Sequence, residues 1–177
     1  MIRIASLLLT VPLLAACASG VPEVIRTPLA EAPTVAQVRA DPDRHLGRRV
    51  RWGGAIVRVH NREQDTLVEV VALRLRSDGR PVGEKERTEG RFLARIGGFV
   101  DPAVFSKGRS ITVVGTLEPA AKRKIGAYPY LFPVVGVEHY YLWEPLRRRP
   151  PPPPPPWWYD PWCPDPFYPW RCHPAWW

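Results

Sequence analysis

Catalysis needs a nucleophile or a metal together with a positioned acid or base, and few residues of this chain qualify. The serines beyond the N-terminal stretch are Ser19, Ser77, Ser106 and Ser110, and none stands in a Gly-x-Ser-x-Gly elbow. The histidines His45, His60, His139 and His173 lie far apart, and none has a metal-ligating partner two or four residues on. Asp65 and Glu69 stand where a turn enters a strand, as a carboxylate pair for acid–base work would require. A half-buried Glu69, however, is better matched by an arginine on an adjacent strand, and Arg51 or Arg91 would serve. Gly53-Gly54 and Gly97-Gly98 are doublets with no helix after them, so they read as bends rather than as a phosphate cradle. The expectation is a chain that is not an enzyme and holds no cofactor and no metal.

Cys17 is different. Arg3 gives the N-terminus a positive charge, an apolar stretch from Leu7 to Leu14 follows, and Ala15-Ala16 precede the cysteine. A basic start, a short apolar core and small residues before a cut are the marks of a secretory signal. Leu14-Ala15-Ala16-Cys17 resembles a bacterial lipobox, in which the thiol takes a diacylglyceryl group, the chain is cut before the cysteine and the new amine is acylated, commonly with palmitate. Small residues suit a peptidase that must grip an extended backbone. Several acyl chains at ~0.8 kcal/mol per buried CH2 make such an anchor effectively permanent. Ala18 stands where an Asp would signal inner-membrane retention, so the expected place is the outer membrane, lipid-anchored and facing the periplasm.

Export bears on the other cysteines and on the charge. Cys163 and Cys172 remain as an even pair in an oxidising compartment, the setting for a disulfide. Zinc would need four ligands, and only His173, Asp160 and Asp165 lie nearby. The chain carries 25 Lys+Arg against 17 Asp+Glu, a formal net charge of +8, with its densest basic clusters at Lys122-Arg123-Lys124 and Arg147-Arg148-Arg149. In a cytosolic barrel such clusters with aromatic neighbours would suggest nucleic acid. An exported chain meets lipid phosphates, lipopolysaccharide and peptidoglycan instead. The candidate ligand or anion contacts are therefore Arg51, Trp52, Lys122, Arg123, Lys124, Arg147, Arg148 and Arg149, with a solvated basic face as the plain alternative. Nucleic acid is not an expected partner; envelope proteins are.

Positioning these groups falls to a sequence that changes character along its length. Residues 1–16 form the lipoprotein signal, and 17–33 are small, polar and Pro-broken, which suits a tether. Thr34 caps a short helix over Val35–Ala40, and Asp41-Pro42 ends it. From Arg48 the apolar period becomes two. Strands are expected from Arg48, with a bulge or bend at Gly53-Gly54, over Thr66–Arg76, over Arg91–Ile96 and over Arg109–Leu117. A last one runs over Tyr130–Trp143, interrupted at Pro133. Asp101–Phe105 reads as a helical turn and Ala120–Ala127 as a basic loop. Few strands can avoid exposed edges unless they close. The expected fold is thus all-β, a small five- to six-stranded OB-like barrel over residues 34–146 with a short helix, a split β-sandwich being the main competitor. Residues 147–177 form a Pro/Trp-rich tail. The seven prolines from Pro150 to Pro156 make a stiff polyproline II rod. The tryptophans beyond it suit a membrane interface, a protein or glycan docking element, or a disordered extension.

The ordered blocks carry a resemblance. Val50-Arg51-Trp52-Gly53-Gly54-Ala55-Ile56, Thr66-Leu67-Val68-Glu69-Val70, Gly98-Phe99-Val100-Asp101-Pro102, Gly108-Arg109-Ser110-Ile111-Thr112-Val113-Val114-Gly115 and Tyr130-Leu131-Phe132-Pro133-Val134-Val135 follow the lipobox in sequence. Gly79-Arg80-Pro81 and Gly90-Arg91-Phe92 stand among them. Together they resemble the Slp family of starvation-inducible outer-membrane lipoproteins, over about residues 10–143, with the tail after Arg149 outside the pattern. The resemblance implies a role in starvation or stationary phase and in acid tolerance, and no reaction or ligand. The leading expectation is a non-enzymatic structural or interaction role in the cell envelope. The alternative is a periplasmic binding module for a small ligand, glycan or lipopolysaccharide, which a deep pocket lined by Trp52, Tyr130 and Trp143 would favour.

Overall fold

The structure, a computed structural model, describes residues 20–83 and 88–145. The readings placed on Cys17, on the Cys163–Cys172 bridge, on Arg147, Arg148 and Arg149, and on the Pro/Trp tail lie outside the described residues.

Alternation of apolar and polar residues builds five long strands: β1 (Arg49–Asn61), β2 (Asp65–Ala72), β5 (Arg91–Gly97), β6 (Ser110–Ile125) and β7 (Tyr128–Leu142). They close in the order β1-β2-β5-β7-β6, antiparallel except for the parallel pair β5–β7. A five-stranded closed barrel with this order is OB-like. Every second residue points inward. Val50, Trp52 and Ile56 of β1 meet Val68 and Val70, Phe92 and Ala94, Ile111, Val113 and Leu117, and Val135 in one core.

Closure depends on β1, which pairs with β6 over Arg49–Ala55 and with β2 over Gly54–Asn61. The strand bends where the two ladders overlap. A Cβ on Gly54 would collide with the Val71 carbonyl, so the backbones can approach this closely only through glycine. The expected bulge is displaced: both glycines keep a regular register, and the extra residue is Val57, between Ile56 and Arg58.

Short elements close the ends. Helix α2 (Val35–Ala40) begins with a capping box: the Gln37 N–H donates to Thr34 Oγ1, and the Thr34 N–H donates to Gln37 Oε1 at 2.8 Å. Its Val35 and Val38 plug the barrel where β2 ends and β5 begins. At the opposite end Val100 and Phe105 enter the same core from a turn closed by the Phe105 N–H on the Asp101 carbonyl, 2.9 Å. Single helical turns α1 (Glu23–Arg26) and α3 (Pro42–His45) flank α2. The strand expected to reach Arg76 stops at Ala72. Its continuation, β3 (Arg74–Leu75), pairs with β4 (Pro81–Val82) around the Ser77–Arg80 turn.

The basic loop expected over Ala120–Ala127 does not exist. β6 continues to Ile125, turns at Gly126-Ala127, and pairs with β7 from Tyr128 onward. Pro133 does not interrupt β7 either. The register jumps from Glu118↔Val134 to Ala121↔Phe132, so Pro119 and Ala120 oppose Pro133 in a β-bulge. A proline cannot donate to a ladder, and both prolines sit where no ladder bond is required.

Candidate functional site

The hairpin made by the far halves of β6 and β7 gathers one predicted basic cluster. Lys122 lies across from Leu131, Arg123 from Tyr130 and Lys124 from Pro129, and these six residues line an open groove of about 400 Å³. Lys122 and Lys124 are exposed, and Arg123 is half-buried on the face it shares with Tyr130. Beneath that face Ala121, Ile125, Tyr130 and Phe132 pack on Leu93 and Val134, which holds the hairpin against β5. The Tyr130 hydroxyl accepts from Arg39 Nη1 and from the Arg91 N–H, each at 2.9 Å. The Arg39 guanidinium also lies over the ring, 5.1 Å from its centroid. A second groove of about 440 Å³, lined by Ala36, Arg39, Gly90 and Arg91 among others, meets the first at Tyr130.

The remaining cations of the barrel wall are mostly matched. Arg91 pairs with Glu69 at 2.6 Å, as the half-buried glutamate requires. Arg62 pairs with Asp65, Arg49 with Glu138, and Arg95 with both Glu118 and Asp65. The hydrogen bond to Glu118 raises the Arg95 pKa above its ordinary value. Asp65 and Glu69 therefore hold separate arginines and form no acid–base pair. Among the described residues, none of Lys122, Arg123 and Lys124 has a carboxylate partner. No group of three metal-ligating side chains occurs among the described residues.

The other candidates go elsewhere. Trp52 points into the barrel, 7% exposed, edge-on to Phe92, with its indole N–H donated to the Pro33 carbonyl at 2.9 Å. Its neighbour Arg51 points outward and donates to the carbonyls of Ile25 and Arg26, at 2.8 and 2.7 Å. Burial lowers the Arg51 pKa, and those carbonyls replace its lost water. The pair packs and straps the chain, and both residues also line a cleft of about 190 Å³ beside Pro33, Thr34 and Leu75. Trp143 packs with Ile25 and Val114 outside the barrel, and Tyr130 lies on the hairpin. Trp52, Tyr130 and Trp143 share no pocket among the described residues: the three rings belong to three different packing clusters.

Sequence reasoning missed two features here. Arg39 joins the hairpin only because α2 caps the barrel beside it. Segment 20–33, read as tether, lies along the barrel: Ile25 is fully buried, and Arg48 donates to the Glu31 carbonyl. The spacing of Val21, Val24 and Ile25 is the one sequence signal for this docking.

The chain matches the family described as "Outer membrane lipoprotein Slp family" over residues 14–176. It is 32% identical over 141 residues to "Outer membrane protein Slp" of Escherichia coli (strain K12), 78% of this chain and 73% of that relative. The chain belongs to the Slp family. It is an outer-membrane lipoprotein. An "Uncharacterized lipoprotein YeaY" of the same organism is 38% identical over 128 residues, 70% of this chain but 63% of the relative, so the match spans just under two thirds of that protein. An "Uncharacterized protein" of Haemophilus influenzae (strain ATCC 51907 / DSM 11121 / KW20 / Rd) is 36% identical over 94 residues, 53% of this chain and 51% of the relative. The Slp match runs to residue 176 and so takes in the Pro/Trp tail, which the motif blocks had left outside the pattern. No solved structure is a significant match for this chain.

Proposed function

We propose that this Slp-family chain is a non-enzymatic interaction module of the cell envelope, anchored through Cys17, facing the periplasm and serving under starvation or related stress. The observation that carries the reading is the division of labour in the barrel. Its interior is filled by aliphatic and aromatic side chains, while a set of cations without carboxylate partners among the described residues stands outside on the β6–β7 hairpin. A packed interior leaves the outer surface as the place to meet a partner. The rival reading, a binding module for a glycan or lipopolysaccharide, is favoured by the two grooves that meet at Tyr130.

The test is cross-linking in living cells, with recovery of partners from the outer membrane. The full lipidated chain is compared with one stopped after Arg149 and with Cys17→Ala. Specific envelope proteins should be recovered with the full chain and lost with Cys17→Ala, which should leave the membrane fraction. Partners that vanish with the tail make the tail the docking element, and partners that persist place it on the barrel. Recovery of no specific partner from any chain would sink the interaction reading, and Cys17→Ala still sedimenting with membranes would sink the anchor.

A further inference from the structure

The β6–β7 hairpin has an unusual arrangement of residue types. Its tip is apolar and small, Ile125-Gly126-Ala127-Tyr128, with the Tyr128 ring 70% exposed. Immediately behind the tip come Lys122, Arg123 and Lys124 on one strand and Pro129, Tyr130 and Leu131 on the other. Lys122 and Lys124 project from the exposed face of the ribbon, and Arg123 stands half-buried on the face that packs on β5. The nearest carboxylate along the strand, Glu118, is held by Arg95. An amphipathic ring at the tip and ammonium groups beside it on the exposed face match a bilayer surface, where apolar edge and phosphates meet.

Reach supplies the second argument. Val21 already packs on the barrel beside Ile25 and Trp143, and the Arg26 guanidinium donates to its carbonyl. Four residues from Cys17 to Val21 span at most roughly 14 Å when fully extended. Val114, in the same cluster as Val21 and Trp143, lies eleven residues before Ile125 on β6, roughly 36 Å along the strand. An acylated Cys17 would therefore hold the Val21–Trp143 side of the barrel within about 14 Å of the leaflet, and the hairpin meets that leaflet by lying along it rather than end-on. Had the whole segment 17–33 been slack, the barrel would range far beyond that distance.

We propose that the β6–β7 hairpin is a membrane-docking arm that binds the phosphate headgroups of an anionic lipid surface through Lys122 and Lys124, with Tyr128 seated at the interface. The proposal deepens the anchored-module reading and rests on it for the short reach. The binding chemistry of the arm does not depend on the anchor, so it is tested without one. The full chain from residue 17, carrying Cys17→Ser, is sedimented with vesicles of phosphatidylethanolamine and phosphatidylglycerol and, separately, of phosphatidylcholine alone. Binding to the anionic vesicles should be many-fold tighter and should weaken in added salt. The exposed pair Lys122→Gln/Lys124→Gln should weaken it about thirtyfold, and Tyr128→Ser by a few-fold, with both variants melting like the parent chain. If the lysine variant melts early, Tyr128→Ser carries the test. Equal binding to both vesicle types, or anionic binding unaltered by these substitutions, would overturn the proposal. Fractionation of Cys17→Ala in cells decides the anchor independently of this result.

Discussion

Thr112 ties three elements together through one hydroxyl. It donates to the Gly79 carbonyl in the β3–β4 turn at 2.7 Å and accepts from the Trp143 indole N–H at 2.9 Å, with no exposure to solvent. Strand alternation puts Thr112 on the outward side of β6, yet Trp143 and the β3–β4 turn cover it. Thr112→Val keeps the shape but leaves a buried indole N–H without its acceptor and a carbonyl without its donor. The expected cost is about 1–3 kcal/mol in urea or thermal unfolding, and Thr112→Ser should recover most of it. Arg51 argues similarly from the other side of the strap. Its burial disfavours the charged form, and only the two α1 carbonyls make that position tolerable. The residue type at 51 was legible as a cation in sequence; that it faces backbone carbonyls of its own chain was not.

Elements show a sharper test of close approach. Gly115 of β6 and Gly136 of β7 lie beside one another across the β6–β7 seam. A Cβ on Gly115 would meet the Gly136 backbone carbonyl, whereas one on Gly136 would meet the Glu118 carboxylate. Backbone cannot yield there without opening the barrel seam, but a carboxylate at the end of a flexible side chain can turn aside. Gly115→Ala should therefore destabilise by about 1–3 kcal/mol and Gly136→Ala by clearly less, the second at the expense of the Arg95–Glu118 pair. Comparison of the two chemical denaturation midpoints checks the order, and equal midpoints would contradict it. The hairpin beyond this seam illustrates the limit of local signals. Lys122-Arg123-Lys124 flanked by Pro119 and Gly126 reads locally as a loop. It becomes strand because Tyr128–Phe132 lies alongside and Leu93 receives its apolar face.

For the whole molecule, the outer-membrane address and the barrel belong together. The barrel has no free edge among its five strands, so it offers no unpaired ladder to another chain. The periplasmic placement proposed above also yields a prediction for the tail: thiol labelling of the non-reduced chain should find neither Cys163 nor Cys172 reactive. Labelling of both would exclude the bridge between them.

Sequence by itself was enough for the class of fold, because period-two apolar patterning and the punctuation of Gly, Pro and Asp are local properties. It was also enough for the α2 cap, since Thr34 and Gln37 act within one turn, and for the address, which is carried by a contiguous signal. The pairing of Glu69 with Arg91 was legible as one of two options, and only the β2–β5 register chose between them. Tertiary structure alone decided that Trp52, Tyr130 and Trp143 part company, that residues 20–33 are docked, and that the basic run lies on a ribbon. The physical reason is the same in each case. These outcomes depend on which strand lies next to which once the barrel closes, and closure is set by contacts between residues far apart in the chain.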